Sequence, residues 1–323
     1  MPKAKVIVTR KWPKEVETRL EACYDVQLNA TDTPMTADQL KTALQTADAL
    51  LPTVTDAITD EVLTVHNRRA QIIGNFGVGY NNIDIETAKR EGIVVTNTPH
   101  VLTDCTADIA MLLMLMSARR ASEGEHLVRT NTWHGWGPTQ LLGTKVTGKT
   151  LGLIGFGRIA QAMAKKAHFG FDMKIICTAP RKPEPAILKQ FDAEYYPSVE
   201  DVLQQADFIS LHCPGGAATK HLINEARLKL MRPTAHLINT ARGDVINSQA
   251  LIKALKENWI AGAGLDVYEG EPHIDPGFPE LKNVALLPHL GSATLETRIA
   301  MGNRVVDNID AFFAGKAPGD RVV

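Results

Sequence analysis

Gly152-Leu153-Ile154-Gly155-Phe156-Gly157-Arg158-Ile159-Ala160 is the stretch that decides how this chain is read. From Gly155 onward it has the form G-x-G-x-x-G/A. So short a pattern is weak alone. Here an apolar strand-like run, Thr150 to Ile154, precedes it and a helix-like segment, Arg158 to Ala167, follows. That context is what a phosphate-binding strand–turn–helix needs. Gly155 permits the tight turn, Gly157 lets backbone amides approach a pyrophosphate, and Ala160 keeps helix and strand close. The helix start at Arg158 and Ile159 adds the positive end of the helix dipole.

Outward from this turn, short apolar runs alternate with helix-like segments. Leu151 to Ile154, Met173 to Cys177, Phe208 to Leu211, Ala235 to Ile238, Gly262 to Leu265 and Val284 to Leu287 form one series. Val6 to Thr9, Ala49 to Leu51, Gln71 to Gly74 and Ile93 to Val95 form an earlier one. Helix-like segments include Trp12 to Ala22 and Asp84 to Glu91, the latter ended by Gly92. Continuous apolar strands with helical crossovers imply parallel sheets covered on both faces. The fold class is therefore α/β, with two doubly wound parallel-sheet domains. A length of 323 residues agrees, at ~150 residues per domain.

The first series ends at Thr96-Asn97-Thr98-Pro99, and a long helical segment, about Thr103 to Ala121, follows. Ser292 to Gly315 is a final helical pattern with no strand after it. Such a helix can return to the first sheet. The expected organisation is a discontinuous domain, residues 1–98 with 293–323, and an inserted dinucleotide domain, residues 99–292.

Composition narrows the function. Lys plus Arg total 35 against 36 Asp plus Glu, so no bulk charge invites nucleic acid or an anionic membrane. The most apolar stretch, Ile109 to Met116, falls far short of the ~20 residues of a membrane crossing and reads as a buried core helix. No signal-peptide pattern opens the chain. Four scattered cysteines show neither a disulfide framework nor zinc-like spacing, so no metal is expected and the expected location is cytoplasmic.

The second strand of the dinucleotide domain leads into Thr178-Ala179-Pro180-Arg181-Lys182. A cofactor with a free adenosine ribose usually meets an Asp or Glu there. None is present, and Asp172 sits at the wrong end of the strand. Arg181 and Lys182 can instead pair with a 2′-phosphate. Thr178, Pro180, Arg181 and Lys182 are thus candidate cofactor contacts. NADP(H) is preferred over NAD(H), which stays an alternative; a solvated basic loop is the bland reading.

Three later segments carry polar residues just past apolar runs: Asn239 to Gly243, Gly264 to Pro272 and Pro288 to Ser292. In an open α/β sheet ligands bind at such ends. Singly, Arg242 reads as a surface arginine, Glu271 as a turn carboxylate and His289 as a capping residue. Together they hold what reduction of a 2-keto acid needs. A guanidinium grips the carboxylate and polarises the carbonyl. An imidazolium delivers the proton, and a carboxylate fixes its tautomer and favours its charged form. The Gly-rich turn Gly74 to Asp84 could offer the Val78 and Gly79 amides to a carboxylate, but reads equally as a plain strand-to-helix turn.

With these residues in view, the chain resembles the D-isomer-specific 2-hydroxyacid dehydrogenase family, in particular its glyoxylate/hydroxypyruvate reductase branch. The resemblance rests on Gly77 to Asp84, Gly155 to Ala160, Asn239 to Gly243, Gly264 to Val267 with Glu271-Pro272, and Pro288 to Thr294. It implies a Rossmann cofactor domain inserted into a flavodoxin-like substrate domain, and a homodimer joined through the cofactor domains. It implies Arg242, Glu271 and His289 as catalytic residues, with Glu271 favoured over nearby Glu269 because it precedes Pro272. Asp266 would partner the nicotinamide carboxamide, while Thr240, Ala241, Cys213, Pro214 and Gly291 would line the cofactor. Val78 and Gly79 would bind the substrate carboxylate beside Arg242 and His289, and Leu51 and Trp136 would shape the pocket. The leading expectation is an NADPH-linked reductase of a small 2-keto acid, such as glyoxylate or hydroxypyruvate, giving the (D)-2-hydroxy acid. An NAD-linked enzyme of D-lactate or D-glycerate and a corepressor-like dinucleotide sensor are the alternatives.

Overall fold

The computed structural model describes residues 2–323. In chain order its elements begin with β1 (Lys5–Val8), α1 (Lys14–Cys23), β2 (Asp25–Gln27), α2 (Ala37–Thr46), β3 (Ala49–Leu51), α3 (Asp60–Leu63), β4 (Ile72–Gly74), α4 (Ile85–Arg90) and β5 (Val94–Thr96). Next come α5 (Thr103–Ala118), α6 (Ala121–Arg129), β6 (Thr150–Ile154), α7 (Arg158–Phe171), β7 (Lys174–Thr178), α8 (Pro185–Gln190), β8 (Ala193–Tyr195), α9 (Val199–Gln205) and β9 (Phe208–Leu211). The chain closes with α10 (Glu225–Leu228), β10 (His236–Asn239), α11 (Ser248–Lys256), β11 (Gly262–Leu265), β12 (Val284–Leu286) and α12 (Leu295–Phe313). Two compact units result. Unit 1 combines the chain up to Leu102 with Ser292–Val323, and unit 2 is Thr103–Gly291. Residues 97 and 98 stay with unit 1 because Asn97 N donates to Asp320 O and Thr98 N to Gly77 O.

Unit 1 holds a five-stranded sheet, order β2-β1-β3-β4-β5, with every pairing parallel. This is the flavodoxin-like order. Its inner strands are apolar on both faces because helices cover both. Ile7, Leu50 and Ile73 pack with Leu44, Val62 and Leu63. Two glycines let α12 come close. A Cβ on Gly74 would stand 2.6 Å from Val305 Cγ1, and one on Gly302 would stand 2.7 Å from Val16 Cγ1. The segment after α12 also pairs, although no strand was expected there. Val322 N donates to Val95 O and Val95 N to Val323 O, and Arg321 bridges Thr96 in antiparallel sense.

Unit 2 holds a seven-stranded parallel sheet, order β12-β11-β10-β9-β6-β7-β8. Strand order reverses between β6 and β9, the switch point where α/β sheets bind ligands. Apolar layers cover each face, one around Leu237, Leu251 and Ile209, the other around Leu113, Leu153 and Met163. The segment expected as one helix to Ala121 is two, because Arg120 takes a left-handed conformation (φ 52°) between α5 and α6. The Ile109–Met116 run is not buried all round either. Leu113 and Met114 are core, whereas Leu112 is 43% exposed. No helix among the described residues is long and apolar enough to cross a membrane.

Candidate active site

The turn after β6 is built as its glycines predict. Gly155 lies at φ +89°, and a Cβ there would meet His212 O at 2.7 Å and Cys213 N at 2.9 Å. Only glycine fits this left-handed, crowded position. Gly157 caps the start of α7 and has nothing within 4 Å of where its Cβ would stand, which leaves room for a ligand over the first amides of Arg158 and Ile159. A helix start leaves those amides without intrahelical partners. Ala160 is fully buried against the sheet.

Asn239, the last residue of β10, shapes the next loop. Its Oδ1 accepts from Ala241 N at 3.0 Å and its Nδ2 donates to Arg242 O at 2.9 Å. The turn is locked, and Arg242 leaves it extended and half-buried. Arg242 Nη1 donates to Ala241 O at 2.7 Å. Burial pulls the Arg242 guanidinium below its ordinary range, against the charges of Glu271 and Asp244, but an arginine stays cationic. Thr240, between them, has a buried Oγ1 with no hydrogen-bond partner among the described residues.

His289 follows β12 and takes a left-handed backbone (φ 55°). Such a conformation costs energy in a non-glycine residue and persists where its surroundings enforce it. Asp266, buried at the end of β11, does so. Its carboxylate accepts from Leu290 N at 2.6 Å and Gly291 N at 2.8 Å, and its carbonyl accepts from His289 N at 2.9 Å. Burial raises the Asp266 pKa, against the pull of those amides and of His289. Tyr268 adds a tie, its hydroxyl donating to Leu265 O and Leu287 O.

His289 Nδ1 lies 2.8 Å from Glu271 Oε1. Burial pushes Glu271 upward, but the His289 hydrogen bond and charge, the Tyr268 amide and the Arg242 charge bring it below its ordinary value. Glu271 is therefore an ionised acceptor near neutrality. Nδ1 must carry the proton in this pair, which leaves Nε2 without a hydrogen-bond partner among the described residues. Glu269 is paired elsewhere, 2.9 Å from His221 Nε2.

The remaining expected residues are placed as follows. Thr178 ends β7 buried, and Pro180, Arg181 and Lys182 are exposed just beyond it. Lys182 Nζ sits 5.8 Å over the Tyr195 ring, and Arg181 has no ion pair among the described residues. The first carboxylate after Thr178 is Glu184, which precedes α8. Cys213 precedes exposed Pro214; burial chiefly pushes its thiol up to about 11, so it is not a thiolate near neutrality. In unit 1, Val78 O accepts from Asn97 Nδ2 at 2.8 Å and Gly79 O from Asn75 Nδ2 at 2.9 Å. Their carbonyls are thus turned into the protein, and neither amide donates a hydrogen bond among the described residues. Leu51 is fully buried and packs toward Gly74 as core, not as an open wall. Trp136 is 83% exposed, so its own chain gives it no pocket to line.

A dinucleotide fits these residues: a glycine turn with room above it, a helix start, and an orphaned hydroxyl at Thr240. The comparisons agree. The family profile "D-isomer specific 2-hydroxyacid dehydrogenase, NAD binding domain" matches residues 111–291. The chain is 47% identical to a glyoxylate reductase of Thermococcus litoralis, over 99% of this chain and 97% of that one. It is 38% identical to a glycerate dehydrogenase of Hyphomicrobium methylovorum, over 98% of each. An NADPH-dependent glyoxylate/hydroxypyruvate reductase from Sinorhizobium meliloti, solved with NADP and malonate, superposes with a TM-score of 0.88 at 31% identity, over 99% of this chain and 97% of that one. Fold and comparisons define a nicotinamide-dinucleotide-dependent oxidoreductase. Within that class, the chain belongs to the D-isomer-specific 2-hydroxyacid dehydrogenase family.

Proposed function

We propose that this protein is an NADPH-linked reductase of small 2-keto acids, glyoxylate or hydroxypyruvate, yielding the (D)-2-hydroxy acid. The observation that carries the chemistry is the 2.8 Å His289–Glu271 pair, with the Arg242 charge acting on it. Arg242 grips the substrate carboxylate and polarises its carbonyl. His289 hands the Nε2 proton to the carbonyl oxygen. Glu271 holds the ring and balances its charge. The Val78 and Gly79 amides stay candidates for binding a carboxylate on the strength of their own turn. The glycine turn with Arg158 and Ile159 would hold the pyrophosphate, and Thr240, Ala241, Asp266 and Gly291 would lie at the nicotinamide end. When bound, the reduced nicotinamide supplies a hydride to the keto carbon.

The preference for NADPH rests on Arg181 and Lys182, exposed and unopposed by a carboxylate at the end of β7. The test is a kcat/KM panel over glyoxylate, hydroxypyruvate, pyruvate and larger keto acids, with NADPH and NADH, followed by reduced-nicotinamide absorbance. Glyoxylate or hydroxypyruvate with NADPH is expected to lead; a larger kcat/KM with NADH, or with pyruvate, overturns the corresponding part.

We further propose a homodimer. Exposed Trp133, Trp136 and Leu142 and the unburied α6 give unit 2 an apolar surface that a second copy would cover. Sedimentation at micromolar concentration is the check, and a monomer there counts against it. The cytoplasm is the compartment proposed, on four cysteines that are all free.

A further inference from the structure

Unit 2 contains a second histidine–carboxylate pair beside the first. His221 lies between β9 and α10, in a stretch that carries no recognisable motif. Its Nε2 is 2.9 Å from Glu269 Oε1, and Glu269 stands two residues before Glu271. Its Nδ1 faces Asn247 Nδ2 at 3.5 Å, a long contact. The orientation of Asn247 is fixed because its Oδ1 caps α11, accepting from Ala250 N at 2.9 Å. The amide nitrogen therefore faces His221, Nδ1 acts as acceptor and Nε2–H donates to Glu269. Both ring nitrogens of His221 are committed inside the protein. Unlike His289, it has none to offer a substrate.

The pair closes a ring of three loops. His221 N donates to Asp244 O at 2.8 Å, Ile223 N to Val245 O at 3.0 Å and Asn247 N to Ile223 O at 2.9 Å. The loop after β9 is thus stitched to the one that carries Arg242. That loop in turn abuts the one that carries Glu271: a Cβ on Gly243 would stand only 1.8 Å from the Tyr268 carbonyl carbon. The side-chain bond from His221 to Glu269 completes the circuit.

We propose that His221 and Glu269 are positioning residues for the reduction, a strut that sets the Glu271 loop against the Arg242 loop and so aims the His289–Glu271 pair. This rests on the catalytic roles proposed above. The experiment compares His221→Ala, His221→Gln and Glu269→Gln with wild type and with His289→Ala, using NADPH and glyoxylate. A sub-ångström to ångström misplacement of reacting groups costs up to ~10²-fold. His221→Ala is expected to lower kcat by roughly 10- to 100-fold on that scale, with both KM values within about twofold. The primary isotope effect with C4-deuterated cofactor should rise, because the transfer step becomes slower relative to release. His221→Gln, whose amide nitrogen can still donate to Glu269, should recover most of the loss. Unchanged kcat in both His221→Ala and Glu269→Gln, while His289→Ala is inactive, overturns the strut alone. Full turnover in His289→Ala would instead remove the catalytic reading beneath it. A kcat loss that tracks melting temperature and is not recovered by His221→Gln also overturns the proposal, as it would mark a purely structural contact.

Discussion

Two histidines at opposite ends of the unit 2 sheet, His289 and His236, are held in opposite ways. At the carboxyl end, His289 meets the Glu271 carboxylate and stays about one-third exposed. At the amino end, His236 opens β10 buried, bonded to Ser117 Oγ at 2.8 Å and Thr144 Oγ1 at 3.0 Å and stacked on Phe208. Burial takes the His236 pKa down to about 4. Two hydroxyls satisfy a neutral ring, and only a carboxylate compensates a charged one. The same side chain is a buried structural tie at one end and, at the other, the proposed proton donor, because its partners and its access to water differ.

The largest effect should come from breaking the carboxyl-end pair. His289→Ala is expected to lower kcat by roughly 10²–10⁴-fold, the usual scale of general acid catalysis, with cofactor binding retained. Steady-state turnover with NADPH and glyoxylate measures it, and near-wild-type kcat removes His289 from the acid role. Glu271→Gln, an acceptor without charge, should act on the same step. The double variant His289→Ala with Glu271→Gln should therefore lose little beyond His289→Ala, since groups that act as a unit are non-additive. Additive losses would mean that the two residues work separately.

Arg242→Lys sharpens the comparison from a third side. A lysine keeps the charge but not the two-pronged donor geometry. KM for the keto acid should rise about tenfold or more, the cost of roughly one charged hydrogen bond. An unchanged KM would free Arg242 from the carboxylate.

The smallest effect concerns stability, and it comes from two buried histidines, His236 at the amino end and His212 just past the carboxyl end of β9. His236 and His212, the latter also brought to about 4 by burial, stay neutral in the fold below the ordinary histidine value of 6.5. In the unfolded chain they bind protons first as pH falls. Their stabilisation is complete above about 6.5 and is lost as pH drops toward 4. For His236 this amounts to roughly 1–3 kcal/mol. Denaturant melts of His236→Gln between pH 7 and 4 should show a shallower acid loss than wild type; equal slopes refute the account.

The residues that escaped the sequence reading share a physical cause. The apolar runs of β6, β9 and β11 were legible because they are covered on both faces. β2 and β8 were not: Asp25–Gln27 and Ala193–Tyr195 are three-residue edge strands with mostly polar, half-wet side chains. The Arg242, Glu271 and His289 segments stood out by their motifs. Their bracing did not: Asn239 and Asp266 lie in those motifs, but their side chains and that of Tyr268 bond backbone amides and carbonyls, which no residue pattern displays. His221 and Glu269 are 48 positions apart, and only an Asn capping α11 reveals how the ring is turned. Leu51 shows the converse, a residue read as pocket that the approach of α12 to Gly74 makes core.

Gly243 has an evolutionary corollary. Because the peptide of Tyr268 occupies the space where any side chain would begin, one base change in that codon would pry apart the carriers of the guanidinium and of the carboxylate together. A lone missense event there should resemble simultaneous damage at the two positions proposed as catalytic, Arg242 and Glu271.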